Sequence, residues 1–454
     1  VLNWNIFREY DVRGLADRDL TDEFAHSLGR AYGAQLRESG GRTVAVGRDV
    51  RDSSPRLSAA LSRGLIESGL QVLDVGIVPT PGLYFAVVHL KADGGIMVTG
   101  SHNPIEYNGF KMQIGTASLH GEEIRALGER IERRAFVDGT GSRVERPISP
   151  DYRAMIVGKC RPERPLKIVL DAGNGVAGPP ALEIFQALGH EITALYCEPD
   201  GRFPNHQPDP TVEANMRDLM AKVVEVGADL GCGYDGDADR IGVVDEKGRL
   251  LWGDQLLALM AREVLQKRPG SKIVFDVKCS QGLEEDIRAH GGIPVMWKTG
   301  HSLTKAKMKE ENAPLAGEMS GHMFYQDDFF GHDDAIYASA RFAAYLARSG
   351  ARLSSWLDSL PRYVNSPEVR IECPDDRKFE IVAELAARFK ESHPVLDIDG
   401  ARVTFEEGWG LVRASNTQPV LVLRFEAKSE EGLRRIRDRF REALAPYPEV
   451  RWQE

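Results

Sequence analysis

The chain has 454 residues, of which 42% are hydrophobic and 28% charged, and its formal net charge is -10. That length exceeds what one hydrophobic core serves and, at roughly 100 to 200 residues per domain, predicts three or four domains with binding clefts between them. The composition excludes a chain too poor in apolar residues to fold. The net acidity excludes nucleic acid or an anionic membrane as the main partner, because both attract a broadly cationic face. Cys160, Cys197, Cys232, Cys279 and Cys373 are odd in number and lack zinc-site pairing, which predicts reduced thiols and a cytoplasmic setting. The first residues, VLNWNIFREYDVRG, contain no apolar signal core, and no run approaches the roughly 20 apolar residues of a membrane span, so neither anchor nor export is expected.

In chain order, three stretches repeat a β-branched strand, a glycine or polar loop and an amphipathic helix, the pattern of α/β layers. TVAVGRD (43–49) precedes a helix predicted from Pro55 to about Ser68, and GGIMVTGSHNP (94–104) is an apolar run that delivers Ser101 to a loop. KIVLDAGNG (167–175) precedes a helix near 179–189, and ADLGCGYDGDADRIGVVD (228–245) reads as strand, acidic loop and strand. A third unit starts near Leu250 and contains KIVFDVKCSQG (272–282) with a helix after it. The tail differs: VRIEC, ARVTFEEGWGLVRAS and PVLVLRFEA read as strands before a charged helix from Ser429 to Leu444, a separate α+β domain. Pro-rich and polar stretches place the divisions at 1–147, 148–249, 250–361 and 362–454.

Four loops carry the residue types that chemistry needs. In Asp235-Gly236-Asp237-Ala238-Asp239-Arg240, alternation lets three carboxylates converge on one hard cation, Mg2+ or Ca2+, while Arg240 adds a phosphate partner. The apolar residues that follow, and the missing distal glutamate, argue against an EF-hand. Thr99-Gly100-Ser101-His102-Asn103-Pro104 lies at the carboxyl end of a strand, where α/β proteins commonly place ligands, and makes Ser101 the natural nucleophile. His102 is a candidate base, although adjacent side chains of an extended loop point apart. Gly317-Glu318-Met319-Ser320-Gly321-His322 suits sugar hydroxyls; glycosidase chemistry would need a second, paired carboxylate. Arg413-Ala414-Ser415-Asn416-Thr417-Gln418-Pro419 reads as a phosphate clamp between two strands. Arg8, Tyr10, Arg13, Lys111, Lys278 and His301 are weaker individually.

Taken in order, FREYDVRG (7–14), TGSHNP, DGDADR, GEMSGH and RASNTQP resemble the motif set of the α-D-phosphohexomutase superfamily, and 297–325 resembles its bacterial phosphomannomutase/phosphoglucomutase branch. The resemblance covers nearly the whole chain; Ala238 departs from it, standing where many members carry glycine. It implies three similar α/β domains with mixed sheets between helices, plus a C-terminal domain like the TATA-binding-protein fold, around a central cleft to which each gives one loop. By that resemblance Ser101 is a phosphoserine, Asp235, Asp237 and Asp239 hold one Mg2+ together with its phosphate, and Glu318, Ser320 and His322 bind the sugar. Arg413, Ser415, Asn416 and Thr417, with Tyr10 and Lys278, would hold the distal phosphate. Lys111 and His301 are the candidates for acid/base duty, Arg13 supports catalysis, and Arg240, His102 and Arg8 set the field of the cleft. The implied reaction interconverts mannose or glucose 1- and 6-phosphates through a bisphosphorylated sugar, with glucose 1,6-bisphosphate as activator. A monomer is expected, with a dimer as the alternative. Phosphoglucosamine mutase is the nearest rival, and a non-catalytic sugar-phosphate sensor and a phosphatase stand behind it; the Met319 setting favours the neutral-hexose branch.

Overall fold

The structure is a computed structural model that describes residues 2–415 and 418–452. Four sheets follow one another along the chain. The first orders Val12–Leu15, Tyr107–Ile114, Gly94–Val98, Thr43–Arg48, Gln71–Ile77 and Ser142–Glu145, with Ala117–Ser118 beside Tyr107–Ile114. Thr43–Arg48 is parallel to both its neighbours, whereas Tyr107–Ile114 is antiparallel to Gly94–Val98 and Val12–Leu15, so the sheet is mixed. The second orders Leu250–Leu251, Ile241–Asp245, Leu230–Tyr234, Lys167–Asp171 and Glu191–Leu195, and the third Ile293–Trp297, Lys272–Asp276, Leu315–Gly317 and Met323–Tyr325. Both combine parallel crossovers with antiparallel hairpins, two in the second sheet and one in the third. The fourth is antiparallel throughout and carries Lys378–Lys390 and Glu430–Leu444 as its helices.

Local chemistry sets the element ends. Thr21, Asp334 and Ser429 each accept a hydrogen bond from a backbone N–H of the first turn they cap, and Gly227 and Gly350 end their helices in the left-handed conformation. The expected helix from Pro55 spans Ser54–Glu67, with proline at its start, where the missing N–H costs no bond. Helix Ala335–Ser349, which the patterning did not single out, is buried almost all round.

One continuous apolar core runs through the first three domains, from Ala45 and Met97 through Leu170 and Val243 to Phe275 and Leu353. The fourth domain has its own core, built on Leu385, Val412, Leu423, Phe425 and Phe440, and meets the third through the small cluster Val277, Trp409 and Leu411. Three domains therefore form one packed body, and the fourth is attached mainly through polar contacts. Arg402 donates to the carbonyls of Val277 and Cys279, and Glu426 accepts from Gln281 N and Trp409 Nε1.

Candidate active site

Strand Gly94–Val98 ends at the loop that holds Ser101, whose φ of +49° puts a non-glycine residue in the left-handed region. The loop is held by a residue outside the motifs. The guanidinium of Arg51, itself 1% exposed, donates to the carbonyls of Ser101 (2.9 Å), Asn103 (2.6 Å), Pro104 (2.7 Å) and Tyr107 (3.0 Å) and lies over the ring of Phe203. Gln207 adds two donations, to His102 O (2.7 Å) and Asn103 O (2.9 Å). Strain at Ser101 is thus maintained by donors from two domains, the buried Arg51 and the half-buried Gln207.

Across the domain boundary, strands Leu230–Tyr234 and Ile241–Asp245 present the acidic loop, with Asp235, Asp237 and Asp239 all fully buried. Ser101 Oγ donates to Asp235 Oδ2 at 2.8 Å and lies 3.1 Å from His102 Nδ1. Gly236 permits this approach, because a Cβ there would stand 2.4 Å from Ser101 O. Lys111, on the strand antiparallel to Gly94–Val98, reaches Asp237 Oδ2 (2.8 Å) and Asp239 Oδ2 (2.5 Å), and Thr80 Oγ1 donates to Asp237 Oδ2 at 2.6 Å. Burial alone would lower the pKa of Lys111, but Asp237 and Asp239 outweigh it and hold the ammonium charged. Burial first, then Asp237 and Asp239, raises the Asp235 carboxyl well above its ordinary range.

The donor set fits a divalent cation. One carboxylate oxygen from each of Asp235, Asp237 and Asp239 lies within 4.8 Å of the others, and Asp237 Oδ1 and Asp239 Oδ1 are buried without a hydrogen-bond partner among the described residues. Three carboxylates against one ammonium leave negative charge that a hard, oxygen-seeking ion offsets. Ala238, between them, has φ +62°, which explains in physical terms why glycine suits that position.

The third loop docks on the second: Gly321 has φ +89°, and its carbonyl accepts from Ile241 N at 3.1 Å. Glu318 accepts from Gly300 N (3.0 Å), Thr304 Oγ1 (2.7 Å) and Ser320 Oγ (3.2 Å). His322 Nε2 accepts from Arg240 Nε at 3.0 Å, which puts the imidazole proton on Nδ1, 2.9 Å from Asp333 Oδ2. His301 opens helix His301–Glu310 with its ring 5.9 Å from that of Tyr10 and 5.8 Å from that of His322; burial and then Lys305 keep it neutral, well below the usual histidine pKa. Tyr10 donates to Thr299 O at 2.6 Å, and Thr299 N donates to Asp399 Oδ2, which also accepts from Arg413 Nε at 3.1 Å. This chain of contacts links the first, third and fourth domains.

The family models for phosphoglucomutase/phosphomannomutase match the chain four times: α/β/α domain I over residues 5–138, domain II over 150–248, domain III over 252–363 and the C-terminal domain over 368–443. A phosphomannomutase/phosphoglucomutase of Pseudomonas aeruginosa is 48% identical over 97% of this chain and 95% of its own length. The chain belongs to the α-D-phosphohexomutase superfamily, in its bacterial branch. A phosphoglucomutase of Neisseria gonorrhoeae is 45% identical over 99% of this chain and 98% of its own length. The crystal structure of a phosphoglucomutase/phosphomannomutase family protein from Burkholderia thailandensis superposes with a TM-score of 0.94, at 45% identity and 99% coverage of both chains.

The fold thus brings most of the motif residues of this phosphohexomutase into one cleft, and the others stand as follows. Arg13 donates to Asn103 Oδ1 (2.7 Å) and pairs with Asp11 (2.5 Å) beside the Ser101 loop. Lys278 is held 3.4 Å from Glu368 of the fourth domain rather than standing open, and that pairing lowers the Glu368 carboxyl to about 2. Ser415 Oγ accepts from Gln418 N at 3.1 Å. Asn416 and Thr417 lie outside the described residues. Arg8 is half-buried in the turn closed by Arg8 N donating to Asp11 O. His102 is half-buried, and burial, then Arg240 and Arg13, pushes its pKa well down. Sequence reasoning passed over Arg51, Thr80, Gln207, Asp333 and Asp399. Only Arg51 carries a local signal, in the polar loop just after strand Thr43–Arg48.

Proposed function

We propose that this chain is a phosphomannomutase/phosphoglucomutase that interconverts hexose 1-phosphates and hexose 6-phosphates through a phosphoserine at Ser101. The observation that carries this reading is the 2.8 Å contact between Ser101 Oγ and Asp235, with Lys111 bridging the two neighbouring carboxylates. Asp235, Asp237 and Asp239 would hold Mg2+, which when bound neutralises charge on the phosphoryl oxygens. Glu318, Ser320 and His322 orient the sugar through its ring hydroxyls, and Arg413, Ser415, Tyr10 and Lys278 grip its existing phosphate, with Asn416 and Thr417 in the same clamp.

The free hydroxyl of the bound hexose monophosphate gives up its proton and attacks the phosphorus on Ser101. The bond from phosphorus to Ser101 Oγ breaks, and Ser101 Oγ takes a proton from the charged Lys111 ammonium to regain its hydroxyl as a hexose 1,6-bisphosphate forms. The neutral imidazole of His301 is available to take that proton, while Lys111, Arg13 and Arg240 stabilise the charge that spreads over the phosphoryl oxygens. After the bisphosphate turns over in the cleft, its other phosphate returns to Ser101, and the product carries a single phosphate at the opposite end. A fourth domain with its own core suits this step, because it can release and re-grip without unpacking the rest.

The test is a coupled assay of mannose 1-phosphate and glucose 1-phosphate conversion with Mg2+ and a trace of glucose 1,6-bisphosphate, comparing wild type with Ser101→Ala. Conversion of both hexoses, with severe loss in the variant, is expected. Turnover of glucosamine 1-phosphate alone would reassign the substrate, and release of inorganic phosphate at the rate of sugar turnover would make the protein a phosphatase.

A further inference from the structure

Outside the catalytic cleft, a cavity of about 420 Å3 lies where the third and fourth domains join. Its walls are Trp252 at the start of helix Gly253–Lys267, Leu283 at the start of the next helix, Leu360 and Tyr363 of the connecting segment, and Arg424 of strand Val420–Ala427. No residue of the catalytic cleft named above lines it, its volume falls in the range of small-molecule sites, and its walls mix apolar and aromatic side chains with charged ones.

Arg424 is the feature that calls for a ligand. It is 5% exposed, yet its guanidinium makes no hydrogen bond among the described residues, and its Nε is buried without a partner. The nearest carboxylate, Asp254 Oδ2, is 3.7 Å away and already accepts from Ser280 N, while Asp254 Oδ1 accepts from Gln255 N. Of the other arginines nearby, Arg249, which also lines the cavity, donates to Asp245, Asp358 and Ser354 O, whereas Arg402, which does not line it, donates to two carbonyls from Nη1 and has its Nη2 buried without a partner among the described residues. A buried guanidinium without acceptors is destabilising unless something supplies them, and its planar fork matches a carboxylate.

We infer that this cavity binds a small monocarboxylate with an aromatic or branched apolar body, its carboxylate on Arg424 and its body against Trp252, Leu283, Leu360 and Tyr363. The charge of the lining selects the class. Arg249, Arg362 and Arg424 against Asp254 and Asp358 leave one positive charge, which a monoanion neutralises and a phosphate dianion exceeds beside Asp254. Because Arg424 belongs to the fourth domain while Trp252, Leu283 and Leu360 belong to the third, an occupant that touches both ties the two domains together.

The test uses the full chain and benzoate as probe, with binding followed by titration calorimetry. Wild type and Arg413→Met, which disables the catalytic phosphate clamp, should each bind one benzoate, and Arg424→Met should weaken binding at least tenfold. A crystal of wild type soaked in 4-iodobenzoate, which does not depend on any variant folding, should show iodine between Trp252 and Tyr363. The inference is overturned if Arg424→Met binds benzoate as wild type does, if the iodine lies in the catalytic cleft, or if nothing binds by about 50 mM, the range in which so small a ligand should register. Tighter, Arg424-dependent binding of phenylphosphonate would overturn the monoanion assignment.

Discussion

Replacing Arg51 by methionine tests whether the Ser101 loop is held from behind. The substitution preserves much of the side-chain volume but removes donors from four carbonyls, those of Ser101, Asn103, Pro104 and Tyr107. At about 1 kcal/mol net for each bond, the loop loses about 4 kcal/mol of local stability, which is roughly a thousandfold increase in its opening equilibrium. Hydrogen exchange read by mass spectrometry over residues 99–107 should show that loss of protection, whereas the fourth domain, which has a separate core, should keep its own. Phosphate incorporation at Ser101, followed by intact mass with glucose 1,6-bisphosphate as donor, should fall with it, since a left-handed Ser101 held at Asp235 is then a minor state. Arg51→Lys should recover only part of the protection, because an ammonium cannot match the planar fork or its stacking on Phe203. Wild-type exchange over 99–107 in Arg51→Met would refute the argument.

Lys111→Met removes the ammonium that offsets Asp237 and Asp239, so the variant should melt several degrees lower than wild type in EDTA and recover more on addition of Mg2+; equal shifts in calorimetry would contradict the charge account. At Ala238, φ +62°, Gly should be tolerated with metal binding intact, while Val should cost about 2 kcal/mol or more and weaken the metal site, a ranking that denaturant melts and Mg2+ titration can reverse. His190 accepts from Leu166 N at Nδ1, and burial depresses its pKa from 6.5 to about 4. Between those values the unfolded chain binds the proton and the folded chain does not, so stability is full above pH 6.5 and falls as pH drops toward 4. Discounted for solvent at the ring, the loss is about 1 to 2 kcal/mol, and His190→Gln should flatten that limb of the melting profile; superimposable profiles would remove His190 from the account.

The parts of this phosphohexomutase legible in its sequence are those whose cause is local. Apolar runs such as GGIMV and KIVLD are strands because burial on both faces needs nothing else, and glycine, serine and asparagine after them mark the turns. The alternation of Asp235, Asp237 and Asp239 on one loop announces a cation site for the same reason: about six residues hold the whole message. The Ala335–Ser349 helix, which the sequence reading did not single out, buries its Arg341 in ion pairs with Glu263 and Asp327, partners that no local pattern announces. The partners at the site escape local pattern as well. Asp235 meets Ser101 134 positions away, Lys111 reaches Asp239 over 128, and Lys278 finds Glu368 over 90. Arg51 looks like one more surface arginine until Ser101, Asn103, Pro104 and Tyr107 turn their carbonyls toward it. Local residue chemistry determined which groups could act; which groups met was decided by sheets packing across domain boundaries, where long-range contacts form and sequence periodicity carries no signal.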